Sequence, residues 1–220
     1  FSVSRYCELA TPIVEDILAR GKTAIVAGGT GLYMDALIRG NDFAPFPATG
    51  QRERLEARLA SEGITEIYAE TFFNCSSLTE IALPEGMTSI AGSAFKNCSS
   101  LTSITIPGNV STIGERAFEK CSALTSVTMG EGVTSINQYA FWRCYSLQQV
   151  NFPDSLSVIG RYAFSECSSM KDLVFGTGLR EIKEYAFERC SSLHNVEFKE
   201  GITTIGSCAF DRCQKYEIII

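Results

Sequence analysis

The sequence predicts an α/β solenoid of about seven 23-residue units, each with parallel strands and a short helical turn. Cysteine, phenylalanine and isoleucine each recur every 23 positions without an insertion, and each such series is called a ladder here. These three ladders predict the solenoid. One such unit cannot bury its own apolar side, so neighbouring units must stack and share a core. The ladders are Cys75, Cys98, Cys121, Cys144, Cys167, Cys190 and Cys213; Phe72, Phe95, Phe118, Phe141, Phe164, Phe187 and Phe210; and Ile67, Ile90, Ile113, Ile136, Ile159, Ile182 and Ile205.

Charge and composition exclude some classes of partner. Residues 1–61 carry seven basic and seven acidic side chains, whereas residues 62–220 carry 12 and 18, which accounts for the net charge of −6. An acidic solenoid without a basic stripe fits a phosphate backbone poorly, so we expect no nucleic acid on the repeats. No apolar run reaches the length of a membrane span.

The cysteine ladder favours packing over chemistry. Stacked units are about 4.8 Å apart, so Cα distance alone does not exclude disulfides between them. Every unit also carries apolar ladder residues, however, and a buried thiol acts as a small hydrophobe. There is no C-x-x-C pair and the single histidine is His194. We therefore expect neither a metal site nor a cofactor.

Residues 1–61 do not share the period and predict a separate, helix–strand–helix–helix fragment of an α/β nucleotide-type domain. Helices are expected over 4–20, 32–38 and 51–61, with a strand over 23–27. Gly28, Gly29, Thr30 and Gly31 follow the strand, where backbone N–H groups can approach an anion. The pattern G-x-x-x-x-G-K-[ST] of a P-loop does not occur in the 220 residues.

The stretch Gly21 to Tyr33, continuing to Gly40, resembles tRNA dimethylallyltransferase, and the resemblance extends over about residues 1–70. It implies transfer of a dimethylallyl group from its diphosphate to an adenosine of tRNA, with Thr30 as the motif threonine. The P-loop and acidic general base that the family places before this motif are not in this sequence. We therefore expect no catalysis, with Thr30 and its glycines as a remnant anion site; prenyl transfer is the alternative function.

The repeat is clearest over 101–121, where Leu-x-x-Ile-x-Ile-Pro predicts a strand and Val-x-x-Ile a second extended piece. Glu-x-Ala-Phe-x-x-Cys predicts one helical or 3₁₀ turn. The Ile-Gly-x-x-Ala-Phe-x-x-Cys-x-x-Leu pattern resembles the bacterial surface-antigen class of leucine-rich repeat over residues 62–220. That resemblance implies a secreted or surface protein used in adhesion, whereas the transferase-like start implies the cytoplasm, so the compartment stays open.

Variable strand positions predict a face for a protein or glycan partner, since side chains alternate along a strand. An ordinary solvated sheet explains the same polarity equally well. Trp142, at an otherwise polar ladder position, is a candidate interface anchor, and Tyr139, Tyr162 and Tyr185 are expected to stack. The candidate face residues are Glu80, Ser103, Thr105, Ser126, Thr128, Gln149, Asn151, Asp172, Asn195 and Glu197.

The two parts meet without a linker at Glu62 to Ile67, a stretch that fits both families. We therefore expect two domains, 1–61 and 62–220. We also expect the sequence to belong to a longer or chimeric reading frame, because it lacks an initial Met and ends within a predicted strand.

Overall fold

The computed structural model describes residues 65–214 and 217–219, with backbone only for 217–219, and shows a succession of short parallel strands and turns. The predicted elements of residues 1–61, with Gly28, Gly29, Thr30 and Gly31, lie outside the described residues. Strands of successive 23-residue units form one seven-stranded sheet along one side of the solenoid and two three-stranded sheets along another.

The first sheet has seven parallel strands in register. Its isoleucine ladder is continuous, with Ile67 opposite Ile90 and Ile136 opposite Ile159. These isoleucines point into the core except at Ile205, which is exposed. The strands are β1 (Glu66–Ile67), β2 (Ser89–Ile90), β4 (Thr112–Ile113), β6 (Ser135–Ile136), β8 (Val158–Ile159), β10 (Glu181–Ile182) and β12 (Thr204–Ile205).

The second side of the solenoid holds two separate three-stranded parallel sheets. One sheet is β3 (Ser103–Ile106), β5 (Ser126–Met129) and β7 (Gln149–Val150), and the other is β9 (Asp172–Val174), β11 (Asn195–Glu197) and β13 (Glu217–Ile219). Around the break between these two sheets, which lies between β7 and β9, side chains make hydrogen bonds to the backbone of neighbouring units. Asn151 binds the backbone of Met129 in the preceding unit, and Asp154 Oδ1 accepts the Thr177 N–H of the following one at 2.8 Å.

The core is a set of stacked ladders. The phenylalanine rings from Phe72 to Phe210 stack in parallel, with centroids 4.9 Å apart at Phe72–Phe95 and 5.3 Å at Phe187–Phe210. A second aromatic ladder of Phe152, Phe175 and Phe198 meets the first edge-on; Phe152, for example, lies 5.6 Å from Phe164. Burying a ring of this size contributes roughly 1.5–3 kcal/mol, so repetition of the ladder accounts for much of the stability.

The expectation of a helical turn is wrong: the described residues contain no α- or 3₁₀-helix. In the segment from Gly114 to Cys121, alternate N–H groups bind within the segment and in the next unit. Ala117 N–H donates to Gly114 O (3.2 Å), whereas Phe118 N–H donates to Ala140 O (2.7 Å). Arg116 and Lys120 adopt left-handed φ values of 57° and 60°, which a right-handed helix excludes. The segment is a run of three overlapping β-turns, closed by Gly114–Ala117, Arg116–Glu119 and Phe118–Cys121, whose remaining N–H groups link adjacent units.

Candidate functional site

The strand face consists of the exposed side chains along the two three-stranded sheets. In β3 and β5 exposure alternates as predicted, so Ser103 and Thr105 point outward while Ile104 and Ile106 enter the core. Parallel register then places Ser103 opposite Ser126 and Thr105 opposite Thr128. These four side chains therefore lie on one side of the sheet, whereas their role in binding stays a prediction.

The strand face divides into two chemically different parts at the break between β7 and β9. The first part carries hydroxyl and amide groups, ending at Gln149 and Asn151. The second part carries Asp172 and Glu197, and Asn195 Nδ2 donates to Asp172 Oδ1 at 2.6 Å. Val174, which is 51% exposed, follows Asp172 by two residues on β9 and lies opposite Glu197 of β11.

Two predicted face residues depart from the expected arrangement. Glu80 is exposed but lies outside the strands of the described structure, so it does not belong to either sheet. Asn151 follows the last residue of β7, and its side chain is engaged with Met129. Eight of the ten predicted residues therefore lie on strands of the two sheets, while Asn151 has a structural role and Glu80 lies outside both sheets.

Trp142 lies away from the strand face, on the turn segment that follows β6. Its ring packs edge-on against Tyr139 at 5.6 Å, and the Arg143 guanidinium carbon lies 4.3 Å from its centroid. The side chain is half-buried by these neighbours. The structure therefore does not place Trp142 with the other candidate residues.

The predicted tyrosine stack is present. Tyr139 and Tyr162 stack at 5.0 Å, and Tyr162 and Tyr185 at 4.8 Å, with nearly parallel rings. Arginines cover this stack, since the Arg116 guanidinium carbon lies 4.7 Å from the Tyr139 centroid and that of Arg161 lies 5.0 Å from Tyr162. The contacts explain the stack as packing between successive units.

An open depression, the turn groove, runs along the solenoid axis on the corner between the turn segments and the strand face. It has a volume of about 510 Å³. Two rows of side chains from four successive units line it: Asn74, Asn97, Lys120 and Arg143, and two positions further along, Ser76, Ser99, Ser122 and Tyr145. The sequence analysis did not identify this groove, although its ladders change visibly from Asn to Lys and Arg, and from Ser to Tyr.

The cysteine ladder lies inside the core. The thiols from Cys121 to Cys190 are buried, and each donates to a phenylalanine carbonyl of the preceding unit, as Cys144 Sγ does to Phe118 O at 3.2 Å. Burial raises the pKa of the Cys121, Cys144, Cys167 and Cys190 thiols well above its ordinary value. These cysteines are therefore packed, protonated groups.

Some kinds of site do not occur in the described part of the chain. Between residues 65 and 214 and at 217–219, no three His, Cys, Asp or Glu side chains are grouped so that they could hold a metal ion. The same residues include no helix long and apolar enough to cross a bilayer.

Parallel strands stacked at 23-residue intervals around a ladder core define a leucine-rich-repeat solenoid. The family model described as BspA type Leucine rich repeat region matches residues 53–171 and 158–220, in six copies. The chain belongs to this family, and the resemblance seen in its sequence is confirmed.

Solved structures agree with this assignment. A leucine-rich repeat protein from Eubacterium ventriosum ATCC 27560 is 26% identical with a TM-score of 0.62, over 72% of this chain and 46% of that one. A leucine-rich repeat protein from Bacteroides ovatus ATCC 8483 is also 26% identical, with a TM-score of 0.53, over 68% and 44%. The chain thus spans less than half the length of these two proteins.

The start of the chain matches a different family. The IPP transferase model matches residues 1–72. A tRNA dimethylallyltransferase from Corynebacterium efficiens is 46% identical over 70 residues, which is 31% of this chain and 23% of that enzyme. The second resemblance is therefore also confirmed, and the match spans about a quarter of the enzyme.

Proposed function

We propose that the solenoid is a binding scaffold of the adhesion type, which presents the strand face to a protein partner. The observation that carries the proposal is the register of exposed side chains on parallel strands, such as Ser103 with Ser126 and Asp172 with Asn195. Side chains on these strands that face outward take no part in the core, and a solenoid repeats them over an extended surface.

Charge favours a protein partner over a glycan. The candidate residues that lie on the two sheets include the carboxylates of Asp172 and Glu197 and no lysine or arginine. The exposed Val174 lies two residues after Asp172 on β9 and opposite Glu197 on β11, so this part of the face offers an apolar contact beside two negative charges. A protein segment with basic and apolar side chains complements such a surface, since opposite potentials speed and orient association.

Binding of basic peptides tests this proposal. The full chain is applied to an array of Lys- and Arg-containing peptides and to an array of oligosaccharides. The variant Asp172→Asn/Val174→Thr/Glu197→Gln removes the charge and the apolar contact. Threonine suits position 174 because Thr105 and Thr128 occupy the equivalent position in two earlier units. The matched control Glu115→Gln/Glu131→Gln neutralises two exposed carboxylates elsewhere.

We expect the face variant to weaken peptide binding about tenfold or more, and the control to leave it unchanged. An equal loss in the control would show that only net charge matters. Binding of oligosaccharides alone, abolished by the face variant, would assign the face to a glycan instead.

We further propose that these 220 residues transfer no dimethylallyl group. The match to the transferase family is short. These residues include the glycine-rich stretch with Thr30, but the P-loop pattern does not occur among them. Transfer of the dimethylallyl group needs hydrogen-bond donors that stabilise the departing diphosphate and a base that takes the proton of the attacking amine. Incubation with dimethylallyl diphosphate and tRNA should give no product; product formation that Thr30→Ala abolishes would establish the alternative function.

A further inference from the structure

We infer that the turn groove is a second binding site and that its ligand is an acidic oligosaccharide. The inference does not depend on the strand face, because the eight lining residues are all different from the candidate face residues. Three features carry it: polar walls, two cations at one end, and an exposed aromatic ring beside them.

The walls offer hydrogen bonds in a row. Asn97 Nδ2 donates to Asn74 Oδ1 at 2.7 Å, which orients both carboxamides along the groove. The hydroxyls of Ser99 and Ser122 lie 3.5 and 3.4 Å from the carbonyl oxygens of Ser76 and Ser99, so their oxygens retain acceptor capacity. Amide and hydroxyl groups that both donate and accept are suited to sugar hydroxyls, which do the same.

Two cations give the groove its charge. Lys120 and Arg143 follow Asn74 and Asn97 on the same ladder, and no carboxylate is among the lining residues. Arg143 is held in place by the Trp142 ring at 4.3 Å and by Glu166 Oε2, 3.2 Å from its Nε. A pre-positioned guanidinium binds carboxylate or sulfate groups with two donors at once. Lys120 also has a carboxylate outside the lining beside it, since its Nζ lies 3.9 Å from Glu119 Oε1. The lining itself carries two cations and no anion, so the charge it complements is that of an anionic group, although the protein has a net charge of −6.

Tyr145 supplies the aromatic contact. Its side chain is 43% exposed at a ladder position that carries serine in the neighbouring units, at Ser122 and Ser168. An exposed ring offers a flat apolar surface with a hydroxyl at its rim, and the C–H face of a pyranose can stack on it. Sugar hydroxyls would then reach the serine and asparagine rows.

Other polymers match the groove less well. Nucleic acid binding rests on many phosphate contacts, and the groove offers only Lys120 and Arg143. A peptide would need apolar pockets or an open strand edge, whereas the lining is composed of amides, hydroxyls and cations with one tyrosine. An oligosaccharide with uronic acid groups uses all three features.

The repeats themselves supply conservative variants for the test. Lys120→Asn/Arg143→Asn extends the asparagine row of Asn74 and Asn97, whose backbone is also left-handed, and Tyr145→Ser restores the serine ladder. The matched control Arg212→Asn removes a cation at the same ladder position, three units beyond Arg143 and paired with Asp211 rather than Glu166. The probes are hyaluronan hexasaccharide, which carries glucuronic acid, and uncharged chitohexaose, titrated calorimetrically into the full chain.

We expect hyaluronan hexasaccharide to bind and the Lys120→Asn/Arg143→Asn variant to weaken binding about tenfold or more. Tyr145→Ser should weaken it severalfold, whereas the Arg212→Asn control should have no effect and added salt should reduce affinity. The strand-face variant should bind the hexasaccharide normally, which separates this site from the proposed function. Absence of binding at millimolar ligand, an equal loss in the control, or equal binding of chitohexaose to all variants would overturn the inference.

Discussion

Asn151 makes two hydrogen bonds to the backbone of Met129: its Oδ1 accepts the Met129 N–H at 2.5 Å, and its Nδ2 donates to the Met129 carbonyl at 2.9 Å. The side chain thereby replaces the backbone pairing that stops at Val150, where β7 ends. One amide side chain thus satisfies both polar groups of a residue that is itself buried.

Replacing Asn151 by alanine should destabilise the centre of the solenoid, because the Met129 N–H and carbonyl lose their partners. An unsatisfied buried group costs about 1–3 kcal/mol. The measurement is amide hydrogen exchange at Met129, which should accelerate in Asn151→Ala. Thr105→Ala, an exposed position on the same face, is the control; equal acceleration in both variants would contradict a specific role for the amide.

Gly160 and Gly86 allow a test of close packing between successive units. A Cβ on Gly160 would lie 2.7 Å from the Asn137 carbonyl carbon, whereas a Cβ on Gly86 would meet nothing within 4 Å. We expect Gly160→Ala to destabilise by about 1–3 kcal/mol through overpacking, and Gly86→Ala to have little effect. The midpoint of urea unfolding measures both, and similar midpoints for the two variants would show that the units move apart easily.

The ladders were predictable because burial repeats with the sequence: Phe118, Cys144 and Ile159 occupy the core positions that their spacing indicates. The turn conformation could not be predicted from the sequence, because Arg116 and Lys120 are not residues that favour a left-handed backbone. Hydrogen bonds between units hold the backbone in that conformation. The break between the two smaller sheets carries no periodic signal, and the side chains of Asn151 and Asp154 make hydrogen bonds there. The turn groove was visible only as changes within two ladders, and four stacked units are needed to form its lining.

The exposed and the buried cysteines should react with an alkylating reagent at very different rates. Cys208 is exposed, whereas Cys144 is buried, donates to Phe118 O and has its pKa raised by burial. Iodoacetamide reacts with accessible thiolate, so at pH 8 and in the folded state we expect Cys208 to react rapidly and Cys144 to be protected until the protein unfolds. Peptide mapping of the alkylated protein measures both sites. Reaction of Cys144 as fast as Cys208 would contradict the packed ladder.

The same burial predicts a loss of stability at alkaline pH. The pKa of Cys144 is raised in the folded state by removal from water and, secondarily, by the neighbouring Cys167, whereas an unfolded thiol titrates near about 8.5. The pKa of the thiol is higher in the folded state than in the unfolded state. Its contribution to the free energy of unfolding is therefore fully present below the unfolded-state pKa and is lost as the pH rises toward the folded-state pKa. Each such thiol should remove up to about 1.4 kcal/mol per pH unit in that window.

Comparison with Cys144→Ala isolates this effect from other groups that titrate at high pH. At pH 7.5 the variant should be less stable than the original protein, because a buried side chain and its hydrogen bond to Phe118 O are lost. As the pH rises from about 8.5 to 10.5, the difference between their urea midpoints should shrink, since only the original protein has the Cys144 thiolate to gain on unfolding. A difference that stays constant across this range would show that the Cys144 thiol has the same pKa in both states.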